Sequence, residues 1–253
     1  MNNIRLMLKI AFLTDHHVSL HTKNPFGIDT ENRFLQLLEV IQQKKYDGII
    51  LGGDLCYLEG DAETYQWFFN HLVSVQIPFN IISGNHDNSE LLVKTFKDYS
   101  VNEDKELFYT KTWHDVPMIF LDTAKGFMGE KQYIWLENQI RQQDAKNIFI
   151  FMHHPPIPCG SKLMDSRYAF LESEKFVSLC QRFPDMVFNI FAGHYHIERT
   201  VFHKNIICHI TPSSYVNIDP EKEEFTLHPC QNNSYRELIW EGPDFSTNIV
   251  CIP

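Results

Sequence analysis

The sequence has no long apolar run. No stretch reaches the ~18 uncharged apolar residues that a membrane-spanning helix needs, so no membrane span is predicted. Residues 6–13 are largely apolar, but Lys9 interrupts them and no small-residue cleavage site follows, which argues against a signal peptide. We interpret this segment as a first buried strand and predict a cytoplasmic protein with no membrane partner.

Closely paired cysteines are also missing. The six cysteines are scattered, without a Cys-x-x-Cys spacing: Cys56, Cys159, Cys180, Cys208, Cys230 and Cys251. A disulfide framework is typical of short secreted chains, whereas this chain has 253 residues, of which 43% are hydrophobic. We therefore predict free thiols in a reducing cytoplasm.

Basic residues are too few to balance the acidic ones. The chain has 22 Lys and Arg against 32 Asp and Glu, a net charge of −10. Such a surface repels polyphosphate backbones, which argues against nucleic acid as a substrate. A small phosphate ester is compatible with this charge if divalent ions make the site locally positive.

Apolar runs alternate with segments of helical periodicity. The runs predict buried strands at residues 6–13, 48–51, 79–82, 118–121, 148–152 and 187–191. Between them, Phe34, Leu37, Leu38 and Ile41 recur at helical spacing. This alternation predicts an α/β (α+β) protein with two mixed β-sheets flanked by helices.

One domain is predicted to span residues 1–253, because no repeat, linker or low-complexity segment interrupts the pattern. Its core covers about residues 6–215. Residues 225–227, 237–240 and 248–251 are predicted as short C-terminal strands on the edge of a second sheet, joined by turns such as Gly242-Pro243.

Seven residues of metal-ligand type follow the predicted strands. They are Asp15, His17, Asp54, Asn85, His153, His194 and His196. Carboxylate, imidazole and amide donors without cysteine suit Mn, Fe(II) or Zn rather than a thiolate site. Seven ligands are too many for one ion and suit two ions that share a carboxylate. Because ligands gather at the carboxyl ends of strands, we expect these residues to converge on one rim.

Two spacings support this hypothesis. Asp15 with His17 and His194 with His196 are i, i+2 pairs, whose side chains point the same way in extended backbone. Asp54 follows two glycines and can bridge two ions. His86 lies directly after Asn85, where it can act as a general acid towards a metal-bound phosphoryl group.

The order of these motifs resembles the calcineurin-like metallophosphoesterase superfamily, and in detail its class III cyclic nucleotide phosphodiesterase branch. The motifs are Asp15-His16-His17, Gly52-Gly53-Asp54, Gly84-Asn85-His86-Asp87, His153-His154-Pro155-Pro156 and Gly193-His194-Tyr195-His196. Leu121-Asp122-Thr123 and Thr211-Pro212-Ser213 add to the similarity, which covers about residues 8–215.

The resemblance implies a four-layer αββα sandwich and a dinuclear centre that hydrolyses small phosphate diesters or monoesters, cyclic nucleotides being favoured. It implies that Asp15, His17 and His196 hold one ion, that Asn85, His153 and His194 hold the other, and that Asp54 bridges. His86 becomes the catalytic histidine, with Asn85 and His86 contacting substrate, and a metal-bridging hydroxide attacks in line. The oligomeric state is open, a homodimer being one option.

Tyr57 departs from the family pattern. Members often carry an aspartate three residues after the bridging one, where it orients the catalytic histidine. Here Asp87, Glu59 or Asp61 replaces it, or His86 is less well oriented. The histidines beside ligands, His16 and His154, are predicted to turn away from the ions and to be solvated or packed, and contact with a ligand residue or with substrate is the alternative.

Several further predictions concern the surroundings of the site. Substrate-pocket candidates are Phe26, Phe127, Met128 and Tyr195. Two other functions remain open: a non-catalytic scaffold of the same fold, and a nuclease of the same superfamily. Retention of all seven ligands and His86 argues against the scaffold, and the acidic charge argues against the nuclease.

Overall fold

The apolar runs form the strands of two β-sheets. The computed structural model describes residues 7–21 and 25–252. Leu6, predicted to begin the first strand, lies outside the described residues, as does Pro253. The predicted strand at residues 48–51 is confirmed without change as Gly48–Leu51, and the first strand ends at Leu13 as predicted. The other four predicted strands shift by one or two residues at their ends.

The first sheet has five strands in the order β11-β10-β1-β2-β3. Its strands are β1 (Met7–Leu13), β2 (Gly48–Leu51), β3 (Phe79–Ile81), β10 (Asn233–Glu241) and β11 (Asp244–Ile252). The first three are parallel, whereas β10 is antiparallel to both β1 and β11. The sheet is therefore mixed, as predicted.

The second sheet has six strands in the order β4-β5-β6-β7-β9-β8. Its strands are β4 (Tyr109–Trp113), β5 (Val116–Phe120), β6 (Asn147–Phe151), β7 (Val187–Ala192), β8 (Arg199–His203) and β9 (Ile206–Ile210). The central strands β5, β6, β7 and β9 are parallel, and β4 and β8 close the edges antiparallel. Both faces of the parallel central strands are covered. Three of them, β5, β6 and β7, correspond to predicted apolar runs, whereas β9 was not predicted.

Helices cover the outer face of each sheet. They are α1 (Thr30–Gln43), α2 (Ala62–Ser74), α3 (Ser89–Thr95), α4 (Glu130–Arg141), α5 (Lys162–Arg167) and α6 (Ser173–Gln181). Asp29, Asp61 and Asn88 cap the first three, each accepting a hydrogen bond from a backbone N–H of the first turn. The apolar stripe of α1 is buried as its spacing predicts.

Three buried clusters establish the four layers. Phe34 of α1 and Phe68 of α2 pack with Leu13 and Leu51 on the outer face of the first sheet. The helices α4 and α6 pack in the same way on the second sheet. Between the sheets, side chains of alternate strand residues form a third cluster that contains Ile10, Phe12, Ile50, Phe120, Phe151 and Phe191. The predicted four-layer sandwich of two mixed sheets is confirmed.

The C-terminal prediction needs correction. Instead of short strands on the edge of a second sheet, residues 233–252 form two nine-residue strands of the first sheet: β10 pairs with β1, and β11 pairs with β10. Leu227 forms an isolated bridge with Ile218 rather than a strand. Arg236 interrupts the apolar residues of β10, which made this strand hard to recognise in the sequence. The side chain is nevertheless buried, with 3% exposure, and its guanidinium donates hydrogen bonds to Thr211 and to the Ile210 carbonyl. The predicted turn at Gly242 is confirmed.

Among the described residues, 7–21 and 25–252, we find no helix with the length and apolar character needed to cross a membrane. All six cysteines fall within these residues and are free thiols, as predicted. Four are buried, and Cys230 and Cys251 are exposed.

Candidate metal centre

Buried carboxylates and imidazoles converge where strands of the two sheets end. Asp15 follows β1, Asp54 follows β2, His153 follows β6 and His194 follows β7. Because the strands are parallel, their carboxyl ends meet at one rim. The convergence that the sequence predicts is therefore observed for residues far apart in the chain.

The potential ligand atoms form two groups. One consists of Asp15, His17, Asp54 and His196, and the other of Asp54, His153 and His194. Within each group the ligand atoms lie within 4.8 Å of one another, and all of these residues are buried. Asp54 belongs to both groups, which is the position expected of a bridging carboxylate.

The two aspartates face the imidazoles directly. Asp54 Oδ2 lies 3.3 Å from His153 Nε2 and 3.6 Å from His17 Nε2. Asp15 Oδ1 lies 3.1 Å from His196 Nε2 and 3.8 Å from His153 Nε2. The Nε2 atoms of His17 and His196 are 3.2 Å apart. These distances bring the carboxylate oxygens and imidazole nitrogens close enough together for a shared cation to contact several of them.

The backbone of the ligands is left-handed rather than extended. Five of the seven predicted ligands have a positive φ: Asp15 at 55°, His17 at 47°, Asp54 at 51°, His194 at 65° and His196 at 52°. The prediction that extended backbone aligns the i, i+2 pairs is therefore wrong. Each such residue costs on the order of 1–3 kcal/mol, and strain of this kind concentrates at functional sites. The tertiary structure compensates for that strain here.

Gly53 and Gly193 allow the loops to approach one another. Gly53 has φ +93°, and a Cβ there would lie 2.6 Å from the Gly84 nitrogen and 2.7 Å from His153 Nδ1. A Cβ on Gly193 would lie 2.3 Å from Asp15 Oδ2. Any larger residue at either position would move a ligand, which explains the glycines of Gly52-Gly53-Asp54 and Gly193-His194.

A backbone carbonyl contacts one ring nitrogen of every predicted ligand histidine. His153 Nδ1 lies 2.8 Å from the Gly52 oxygen, His196 Nδ1 2.7 Å from Val216, His194 Nε2 2.9 Å from Tyr168, and His17 Nδ1 3.4 Å from Tyr57. A carbonyl accepts a hydrogen bond from a ring N–H, so the other nitrogen presents its lone pair to the centre. These contacts fix both the tautomer and the ring orientation. These contacts could not be predicted from the sequence, because every residue type has a backbone carbonyl.

The donor set fits divalent cations. His153 Nε2 is fully buried and has no hydrogen-bond partner, although it points at both aspartates. Burial lowers the pKa of His153, but Asp54 and Asp15 outweigh burial and raise the pKa to about 10. Burial lowers the pKa of His17 to about 4 and that of His194 to about 3. Burial also lowers the pKa of His196, but Asp15 and Asp54 outweigh burial and raise it. The centre therefore attracts positive charge at His153 and His196, whereas His17 and His194 stay neutral, the form in which imidazoles bind metal.

Asn85 and His86 lie at the open side of this centre. His86 donates its backbone N–H to Asp54 Oδ1 at 2.8 Å, and its ring is 4.8 Å from the ring of His17. Both residues line a cleft of about 530 Å³ together with His17, Asp54, His194 and His196. Asn85 is exposed and His86 is half-buried, so both can meet a ligand in the cleft.

The backbone of Leu58 holds His86 in place of the usual aspartate. His86 Nδ1 lies 2.9 Å from the Leu58 carbonyl oxygen. Asp87 instead accepts hydrogen bonds from Leu55, Gly84 and Tyr65, and Asp61 caps α2. In the structure, therefore, neither Asp87 nor Asp61 orients His86.

His16 and His154 pack beside the ligands, as predicted. His16 Nδ1 lies 2.7 Å from Ser214 Oγ, and its ring packs edge-on against Phe34 at 4.9 Å. The backbone N–H of His154 donates a hydrogen bond to Thr123 Oγ1, and His154 Nδ1 lies 3.3 Å from the same oxygen. The His154 ring lies 3.9 Å from that of His194. Neither side chain belongs to the two ligand groups.

One of the four pocket candidates lines the cleft. Phe26 does so, whereas Met128 and Tyr195 are buried in the core beneath α4 and α6, and Phe127 is exposed outside the cleft. The cleft is also lined by four aromatic residues that were not predicted as pocket residues: Tyr57, Tyr168, Tyr215 and Phe225. These residues lie outside the ligand motifs, so the motif spacing gave no reason to place them in the cleft.

Known proteins are similar to this chain in sequence and in fold. The model of the calcineurin-like phosphoesterase family matches residues 8–198. A probable cyclic nucleotide phosphodiesterase of Fibrobacter succinogenes is 30% identical over 239 residues, which cover 94% of this chain and 91% of that protein. A probable glycerophosphodiester phosphodiesterase GpdQ of Arcobacter nitrofigilis is 30% identical over 73% of this chain and 71% of its own length.

The fold has a solved counterpart. A dimetal phosphatase from Danio rerio superposes with a TM-score of 0.67 at 11% identity, covering 97% of this chain and 99% of its own. At this identity the likeness concerns the fold alone. The conclusion about function rests on the sequence matches, which confirm the prediction of a metal-dependent phosphoric ester hydrolase. The chain belongs to the calcineurin-like phosphoesterase family.

Proposed function

We propose that the protein hydrolyses small phosphate diesters, with cyclic nucleotides or related diesters favoured over monoesters, at a centre of two divalent transition-metal ions. The observation that carries this proposal is the pair of ligand groups joined by Asp54. The relatives include both a probable cyclic nucleotide phosphodiesterase and a probable glycerophosphodiester phosphodiesterase. The substrates named for both relatives are phosphate diesters.

Asp15, His17, Asp54 and His196 would hold one ion, and Asn85, His153, His194 and Asp54 the other. The donor set is compatible with Mn, Fe and Zn. When bound, two such ions lower the pKa of a water molecule and neutralise negative charge on the phosphoryl oxygens. The fixed backbone carbonyls keep the imidazoles oriented, so little reorganisation is needed when substrate enters.

His86 would protonate the leaving oxygen of the ester. Its Nδ1 hydrogen bond to the Leu58 carbonyl leaves Nε2 for the substrate, where a positioned histidine can act as a general acid. Asn85, beside it, would contact a phosphoryl oxygen with its amide. These two side chains would bind substrate at the open side of the cleft.

A single domain would perform this reaction in the cytoplasm, where free thiols such as Cys230 stay reduced. The net charge of −10 favours small substrates over nucleic acid. The single-domain boundary, the cytoplasmic location and the roles of the seven ligands are all parts of this proposal.

The direct test is hydrolysis of bis-p-nitrophenyl phosphate by protein reconstituted with Mn, Fe, Co or Zn. We expect turnover that disappears with chelator and returns with metal. Metal content measured on the same samples should approach two ions per chain. Failure of every metal to support hydrolysis would contradict the proposal and favour a non-catalytic scaffold.

A further inference from the structure

The cleft above the centre has an aromatic wall. From the inside outwards, the rings of His17 and Tyr215 are 5.4 Å apart, those of Tyr215 and Phe26 6.1 Å, and those of Phe26 and Phe225 5.6 Å. These separations lie in the range of stacked and tilted aromatic pairs. The wall therefore runs continuously from a predicted ligand to the mouth of the cleft.

The outer two rings of this wall are open to solvent. Phe26 is 58% exposed and Phe225 is 49% exposed, and their planes are inclined by only 27°. Exposure of two adjacent phenyl rings is unfavourable in water, and exposed apolar patches of this kind mark binding sites. In addition, Phe26 has φ 53°, a conformation that is a genuine outlier for a bulky residue. Strain of this kind concentrates at ligand sites.

The charge of the cleft selects against a second phosphate group. Among the described residues that line it, Arg167 is the one lysine or arginine. Its guanidinium donates to both carboxylate oxygens of Glu224, at 3.1 and 2.7 Å, so its charge is already balanced. Beyond the metal centre, a ligand therefore meets apolar rings and a neutral ion pair.

We propose that Phe26 and Phe225 are specificity-determining residues that stack on a planar, uncharged aromatic group carried by the alcohol part of the phosphate ester. This inference rests on the proposed function for the position of the phosphate. A group the size of a nucleobase fits the chemistry of the wall, because ring stacking needs a flat π-face and no charge. A glycerol group is uncharged but has no π-face, so the wall discriminates between the two kinds of diester.

Binding measures this discrimination independently of turnover. We would titrate metal-reconstituted protein with adenosine 5′-monophosphate and with ribose 5-phosphate, which carry the same phosphoryl group and differ in the base. Base stacking predicts that the wild-type protein binds adenosine 5′-monophosphate roughly 10- to 100-fold more tightly. Phe26→Ala and Phe225→Ala should each reduce this ratio, and the double variant should bring it close to one.

The control is Phe202→Ala, which removes a 74% exposed phenylalanine of β8 outside the cleft. It should keep the wild-type ratio. A ratio near one in the wild-type protein, or a ratio retained in the double variant, would overturn the inference. These outcomes are distinct from a failure of the proposed function, which would appear as absent hydrolysis of bis-p-nitrophenyl phosphate whatever the ratio.

Discussion

His86 Nδ1 lies 2.9 Å from the carbonyl oxygen of Leu58. The neighbouring carbonyl of Tyr57 contacts Nδ1 of His17 at 3.4 Å. Two consecutive peptide groups thus orient a proposed general acid and a proposed ligand. The side chain of Tyr57 takes no part in this, which explains how an aromatic residue can occupy a position where the family often has aspartate.

We expect His86→Ala to lower turnover by roughly 10²–10⁴, because it removes the proposed proton donor. Metal content should persist, since the His86 ring belongs to neither ligand group. Steady-state kinetics and elemental analysis on one preparation would measure both. His203→Ala, which truncates an exposed histidine on β8, is the matched control. Full activity of His86→Ala would refute the role of His86.

Asp54→Asn should reduce the metal content to one ion or fewer per chain, because Asp54 is shared by both ligand groups. Elemental analysis after dialysis would measure this. Asp61→Asn is a control on a neighbouring aspartate that caps α2. It should retain metal and change stability by at most about 1 kcal/mol. Two ions retained by Asp54→Asn would exclude the bridging role.

Gly53→Ala should destabilise the protein and displace ligands, because its Cβ would overlap the Gly84 backbone and the His153 ring. We expect a loss of more than ~1 kcal/mol in urea unfolding together with weaker metal binding. Gly126→Ala separates the two causes: it shares the positive φ, at +76°, but its nearest neighbour would be 3.9 Å away. If both variants behaved alike, backbone strain rather than contact would dominate.

Glu237 links stability to pH. Burial raises the pKa of Glu237, but Lys9 at 2.7 Å and the Tyr46 hydroxyl outweigh burial, so the folded-state pKa is lowered. A lowered pKa stabilises the fold above the unfolded-state pKa near 4.3, and this contribution is lost as pH falls through the folded value.

Glu237→Gln should therefore reduce the free energy of unfolding at pH 7, and the difference from wild type should shrink in acid. Urea unfolding at pH 7 and at about pH 3.5 would measure it. A difference that does not depend on pH would mean that packing, rather than charge, explains the effect of Glu237. Since this residue lies on β10, away from the cleft, metal content serves as an internal control.

The sequence predicted much of the fold because buried parallel strands are simple to recognise. Residues 48–51 and the stripe containing Phe34 and Leu37 carry unambiguous periodicity. Three strands, β4, β8 and β9, were not predicted. Along the antiparallel strands β4 and β8, exposed positions alternate irregularly. The hairpin of β10 and β11 was misplaced, since only its pairing with β1 identifies its sheet.

The sequence by itself determined which side chains are available as ligands, and their order after the strands determined that they gather at one rim. Only the tertiary structure decided how they are held. The left-handed φ values, the carbonyls of Gly52, Leu58, Tyr168 and Val216, and the ring stack of Phe26 and Phe225 all depend on contacts between distant segments. Motif spacing records residue type along one chain, whereas orientation is set by backbone groups and packing that every residue type can supply.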